Sequence, residues 1–257
     1  MKTTISTLFF FVLASGLLTA QNAADNSTSG SGKAKSFLSF SGGIAMPTGK
    51  FASNDFGDAA TGFNGTSGYA KMGSHFAVEG AYFFCSHFGI GGSLSASSFN
   101  VDVTPIANGY REAFDCDSAS ASARPYHTIN ILVGPCFSWP IKKFTIDARI
   151  LAGVTTIMSP DIFCTVINAY QGPTEGSVST FVQTGDNKTT FGMMAGVGIR
   201  YAIYKHWMVR LGSDYFYSKP TLNFQNVGRT NNVGPQFTSY NQAIAGMTAV
   251  FGVGYEF

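Results

Sequence analysis

Seven charged residues, Glu79, Asp147, Arg149, Arg200, Arg210, Asp214 and Glu256, stand inside segments that otherwise alternate large apolar with small side chains. Four carboxylates and three guanidinium groups on one face have two chemical uses. In a water-filled lumen they conduct or gate ions. In a narrow, dry one they pair and seal the space, because a buried charge persists only with a partner. His75 shares the face of Glu79.

Other reactive residues give weaker patterns. His127, with Thr128 and Ser122 near it, is the one candidate for a base and nucleophile, and YHTIN at 126–130 does not match a serine deacylase motif. His75, His87, His127 and His206 fall on different segments or turns without zinc-ligand spacing, so no metal is expected. Gly43 to Lys50 imitates a phosphate loop but has five residues between its glycines, and Phe51 where Ser or Thr is required. No catalytic residue and no cofactor is expected. Of the four cysteines, Cys116 and Cys164 lie in two long polar stretches and are candidates for a disulfide, the chain being exported to an oxidising space. Cys85 and Cys136 lie near short turns with inward parity, one strand apart, beyond the bridging limit of about 7 Å, and are expected as free thiols. Four cysteines allow three pairings, and the connectivity stays open.

The elements that must position these residues follow from composition and period. Charged residues are 12% of the chain, about half the share usual in soluble domains, and 30 Gly accompany 24 Phe. A net charge of +2 with no Lys/Arg stripe excludes a nucleic-acid partner. Residues 1–20 read as a signal peptide, with Lys2 before the apolar run Ile5 to Leu18 and Ala20 before the cut. Residues 21–35 read as a flexible periplasmic leader and 36–257 as one domain.

Within that domain eight segments alternate with period two: Phe37–Met46, Gly73–Phe84, Phe88–Ser97, Thr128–Ser138, Phe144–Thr155, Phe191–Tyr201, Trp207–Tyr215 and Met247–Phe257. Connections alternate between turns of about three to five residues and loops of roughly 20 to 30, as in membrane barrels with tight periplasmic turns. All seven charges fall on the small-residue face. A soluble sandwich would carry Lys, Glu and Thr there, whereas this face has no Lys and is mostly Gly, Ser and Ala. Aromatic residues of the apolar face gather beside the short turns: Tyr82, Phe84, Phe88, Phe137, Phe144, Tyr201, Trp207, Tyr255 and Phe257. Such a band is an interfacial girdle. The expected fold is all-β, an eight-stranded antiparallel up-and-down transmembrane β-barrel, large side chains facing lipid and four long loops outside.

With these strands in place, GGIAMPTGKF at 42–51 and FGVGYEF at 251–257 are similar to first and last strands of the small outer-membrane β-barrel superfamily that includes OmpX, OmpW and the OmpA transmembrane domain. The resemblance covers Phe37 to Phe257. It implies residence in the outer membrane in contact with its lipid. It also implies that Phe251, Val253, Tyr255 and Phe257 form the assembly signal read by the barrel-assembly machinery. It fixes no shared activity, since the superfamily includes scaffolds, adhesins, pores and lipid-modifying enzymes. The expected role is non-enzymatic, with a salt-bridged closed lumen and loops that meet an extracellular or membrane-protein partner. The alternative is a narrow OmpW-like channel for small or apolar solutes, and after it an enzyme acting on outer-membrane lipid.

Overall fold

The computed structural model describes residues 34–56, 66–113, 115–168, 177–228 and 236–257. The expected signal peptide and all but the last residues of the leader lie outside them. In chain order the strands are β1 (Phe37–Pro47), β2 (Ala70–Phe83), β3 (Phe88–Val101), β4 (Ser118–Ala123), β5 (Tyr126–Ile141), β6 (Phe144–Met158), β7 (Ile162–Asn168), β8 (Ser177–Thr184), β9 (Asn187–Tyr204), β10 (Trp207–Ser218), β11 (Thr221–Gly228), β12 (Gln236–Asn241) and β13 (Ile244–Glu256). Among the described residues one α-helix, α1 (Val103–Ala113), follows β3.

Eight of these strands close a barrel in the order β1-β13-β10-β9-β6-β5-β3-β2, every pair antiparallel. Closure through the β1–β13 ladder, Phe37 opposite Glu256 to Pro47 opposite Gly246, leaves no edge to template aggregation. It also lets the backbone satisfy its own hydrogen bonds inside hydrocarbon. The strands are longer than the alternation alone outlined. β5 runs on to Ile141 and β6 restarts at Phe144, so the turn expected over 139–143 shrinks to Lys142 and Lys143, with Lys142 in left-handed backbone at φ 59°. Lys205 does the same between β9 and β10 at φ 47°.

The two faces differ as their residues require. Phe76, Ile150 and Leu211 on the outer wall remain 65%, 61% and 62% exposed, values that exclude a soluble barrel core and suit side chains bathed in lipid. Around the short-turn end the girdle aromatics meet in separate groups. Phe88 lies 5.3 Å from Phe84 and 5.2 Å from Phe137, Phe144 lies 4.8 Å from Tyr201, and Trp207 meets Tyr255 edge-on at 5.9 Å. Trp139, expected in a turn, belongs to this wall and stacks on Phe137.

Three of the stretches expected as long loops, those after β3, β6 and β10, hold regular structure among the described residues. Their strands form a second, five-stranded sheet ordered β12-β11-β8-β7-β4, with α1 packed against β4 and β7. Its strands prolong the hairpins of the barrel wall: Arg124 N–H donates to Asp161 O, and Ser159 N–H to Asp186 O. The outer part of the sheet stands beyond the bilayer. An apolar band about 25 Å tall takes roughly ten tilted residues, which Phe144 to Val154 of β6 already supply, and β7 begins only at Ile162.

Candidate functional site

The lumen is the place where the chemistry-bearing residues converge, and it is filled in layers. At the short-turn end Arg200 on β9 grips Asp147 on β6 through two hydrogen bonds, Nε to Oδ2 at 2.6 Å and Nη2 to Oδ1 at 2.9 Å. Its Nη1 donates to Glu256 Oε1 at 2.9 Å, and its Nη2 to Ser138 Oγ at 2.9 Å. The guanidinium also lies 4.2 Å from the centre of the Phe37 ring, a cation–π contact. Both charge and donors are spent within the protein.

One layer further in, Arg149 donates from Nε to Asp214 Oδ1 at 3.0 Å and from Nη2 to Asp214 Oδ2 at 2.8 Å. The same Nη2 pairs with Glu79 Oε1, and Arg210 Nη1 pairs with Glu79 Oε2. Room for this cluster comes from glycines on the neighbouring wall. A Cβ at Gly196 would overlap Asp214 Oδ1, and one at Gly198 would stand 3.2 Å from Arg210 Nε. All seven predicted charges are thus buried and ion-paired, in two groups.

Above them lies a neutral polar layer. His75 Nδ1 is 2.8 Å from Ser97 Oγ, Asn130 Nδ2 donates to Ser95 Oγ at 3.1 Å, and Thr155 Oγ1 donates to Asn130 Oδ1 at 2.9 Å. The outer mouth is then stoppered by Phe51, Phe99, Tyr126, Ile157, Phe216 and Ile244, packed as one cluster. Phe51 comes from a 3-10 turn, Gly49–Ala52, that folds back after β1, and its ring meets Phe99 and Tyr126 edge-on at 5.0 and 5.1 Å. The turn is tied down by Gly68 N–H on Lys50 O at 3.0 Å and Tyr69 N–H on Ser53 O at 3.0 Å.

Sequence reasoning missed this stopper and the Phe37 and Phe83 rings around Arg200, because it assigned the large apolar residues to the outer face and only small and charged ones to the inside. The signal was present in parity: Phe99 alternates with Ser97 and Ser95, and Phe37 with Ser39.

The remaining candidates separate. His127 is exposed on the outer wall of β5 while Thr128 is buried inside, so successive side chains point to opposite faces and cannot pair. Ser122 lies on β4, outside the barrel. Among the described residues no cluster of His, Cys, Asp and Glu could hold a metal. All four thiols are unlinked in the structure. Cys85, expected to face inward, is exposed in the turn before β3, which corrects that assignment; Cys136 is buried in the lumen wall. Cys116 and Cys164 come together in a buried cluster beneath α1. Of the expected assembly signal, Phe251, Val253 and Tyr255 are exposed on the outer face of β13, and Phe257 N–H donates to Ser36 O at 2.9 Å.

Residues 10–257 match the family described as outer membrane protein beta-barrel domain. Among solved structures the chain is similar to Ail, the attachment invasion locus protein of Yersinia pestis, at 11% identity and a TM-score of 0.40, covering 88% of this chain and 99% of that one. It is similar to OprG from Pseudomonas aeruginosa at 14% identity and a TM-score of 0.44, covering 88% and 97%. A major outer membrane protein from Thermus thermophilus is similar at 12% identity, with a TM-score of 0.40 and coverage of 86% and 99%. No curated protein sequence matches the chain.

Proposed function

The chain belongs to the family of outer-membrane β-barrel proteins, and we propose that this member is a closed, non-enzymatic barrel that anchors a folded extracellular unit for contact with a partner. One observation carries the reading: the lumen is occupied in successive layers, by two ion-paired groups, a hydrogen-bonded polar layer and an aromatic stopper. An eight-stranded barrel has an interior just wide enough for side chains. A solute would have to displace charges that have no other partner and rings that are already packed.

The partner-facing element is the outer sheet. Its β7 and β8 expose Phe163, Ile167 and Val178 to water beyond the bilayer. Apolar side chains grouped on such a surface suit protein contact rather than solvent.

Purified protein in planar bilayers tests the reading. Stable membranes with no discrete conductance steps are expected. Reproducible open channels from the pure chain would replace it with the narrow-channel alternative.

A further inference from the structure

Outside the bilayer the chain builds a core in which cysteines from two distant segments meet. α1 ends in a Schellman motif. Asp115 takes left-handed backbone at φ 46°, its N–H donates to Glu112 O at 3.4 Å, and Cys116 N–H donates to Arg111 O at 3.1 Å. That cap turns the residue after it back against the last helical turn, where a hydrophobic contact forms. Cys116 accordingly packs in the cluster that includes Tyr110 of α1.

Cys164 enters the same cluster from the sheet. On β7 the side chains of Ile162, Cys164 and Val166 are buried under α1, while Phe163 and Ile167 face away. Register supports the placement: Cys164 stands opposite Ala121 of β4 and Phe181 of β8, and Phe181 stacks on Tyr110 at 5.4 Å. Neither thiol has another cysteine to choose. Cys85 is at the short-turn end and Cys136 is inside the lumen, so the bilayer's thickness separates them from this core.

We propose that Cys116 and Cys164 are joined as a disulfide in the mature protein, stapling the end of α1 to β7 and closing the extracellular core. The compartment that the family occupies is oxidising. The reaction is an exchange with the disulfide of a thiol oxidoreductase. One cysteine thiolate of the chain attacks an oxidant sulfur, releasing the other oxidant sulfur as a thiol. The second thiolate then attacks the mixed disulfide and releases the second oxidant thiol. The chain loses two hydrogens and the oxidant gains them. Burial pushes the folded Cys164 thiol up to about 11, and the thiolate is the attacking form. The exchange therefore belongs to passage through the periplasm, before the helix closes over β7.

The test is peptide mapping of protein taken from outer membranes, denatured in the presence of an alkylating reagent and digested without reductant. A single species joining the Cys116 and Cys164 peptides is expected, lighter than their sum by two hydrogen atoms and split by reductant. Both cysteines alkylated, or either joined to Cys85, Cys136 or a second chain, would overturn the assignment. Protease resistance of the extracellular unit provides an independent readout, with gel mobility shifts on heating to report that the barrel itself has folded. Cys116→Ser and Cys164→Ser should each lower it several-fold, and the double variant no further than either. Losses that add in the double variant would mean two thiols packing separately, and would also overturn it.

Discussion

Glu79 and Arg149 face each other across the lumen. Their strands, β2 and β6, are three places apart round the wall, and Arg210 on β10 reaches the same carboxylate from three places away in the other direction. The ion pairs are therefore cross-ties between opposite walls rather than neighbours on one ladder. A cross-tie excludes a continuous water path at its level, which links the charge arrangement directly to closure.

Removing the shared carboxylate should be costly. Glu79→Gln keeps the shape but leaves Arg149 with Asp214 as its remaining ion-pair partner and removes the ion pair that holds Arg210. Breaking a buried pair by deleting one partner destabilises by about 3–5 kcal/mol. Urea unfolding in lipid vesicles should show a loss of that size, and Arg210→Met added to Glu79→Gln should recover part of it. A single-variant loss under about 1 kcal/mol would show that water already screens the cluster.

The glycine opposite Asp214 should be as sensitive as a charge. At Gly196 an added methyl group meets the carboxylate oxygen that Arg149 binds, so Gly196→Ala must shift Asp214 or the strand. Overpacking of this kind costs about 1–3 kcal/mol. At Gly92 the nearest atom to an added Cβ is Leu132 O at 3.6 Å, an ordinary contact. Gly92→Ala in the same assay should be close to neutral, and equal losses at both sites would point to a general strand effect.

The parts of this structure legible in the sequence were those set by period two. Lipid and lumen demand opposite side chains, so Glu79, Asp147 and Arg210 announce the inner face and Ile150 and Phe251 the outer one. The stopper was hidden because Phe51 is delivered by a turn with no alternation, while Phe99 and Phe216 break the rule that large residues face out. The outer sheet was hidden for a different reason. β4 reads SASASA, with no large residue to mark a buried face, because α1 and β7 supply the apolar bulk there. Whether Cys116 could reach Cys164 depended on the left-handed Asp115 at the end of α1, which a pattern of hydrophobic residues does not reveal.

Depth in the bilayer should grade the cost of charge on the outer wall. Ile150 lies midway along the apolar stretch of β6, and Tyr255 sits in the girdle beside the short turns. Arginine at the midplane costs roughly 2 to 4 kcal/mol and near an interface about 0 to 1. Ile150→Arg should impair folding into vesicles far more than Tyr255→Arg does. Comparable effects at both positions would remove the lipid-facing assignment of this wall.

The extracellular core should fail at alkaline pH before the barrel does, provided the chain is kept reduced. Burial pushes Tyr110 from its ordinary 10.0 up to about 12, with the charges of Cys164 and Tyr240 adding to the effect, and pushes Cys164 from 9.0 to about 11. Both groups are acids whose charged forms the folded state disfavours, so above pH 9 the unfolded state binds fewer protons than the folded one. Stability contributed by keeping them neutral is complete below pH 9 and declines as pH rises from there through about 11 to 12. Protease cleavage within 103–168 should therefore accelerate between pH 9 and pH 11 in reduced protein while the heat-shifted gel mobility of the barrel persists. Tyr110→Phe, which cannot ionise, should flatten part of that dependence. An unchanged profile in Tyr110→Phe would show that its hydroxyl is not sealed beneath the sheet.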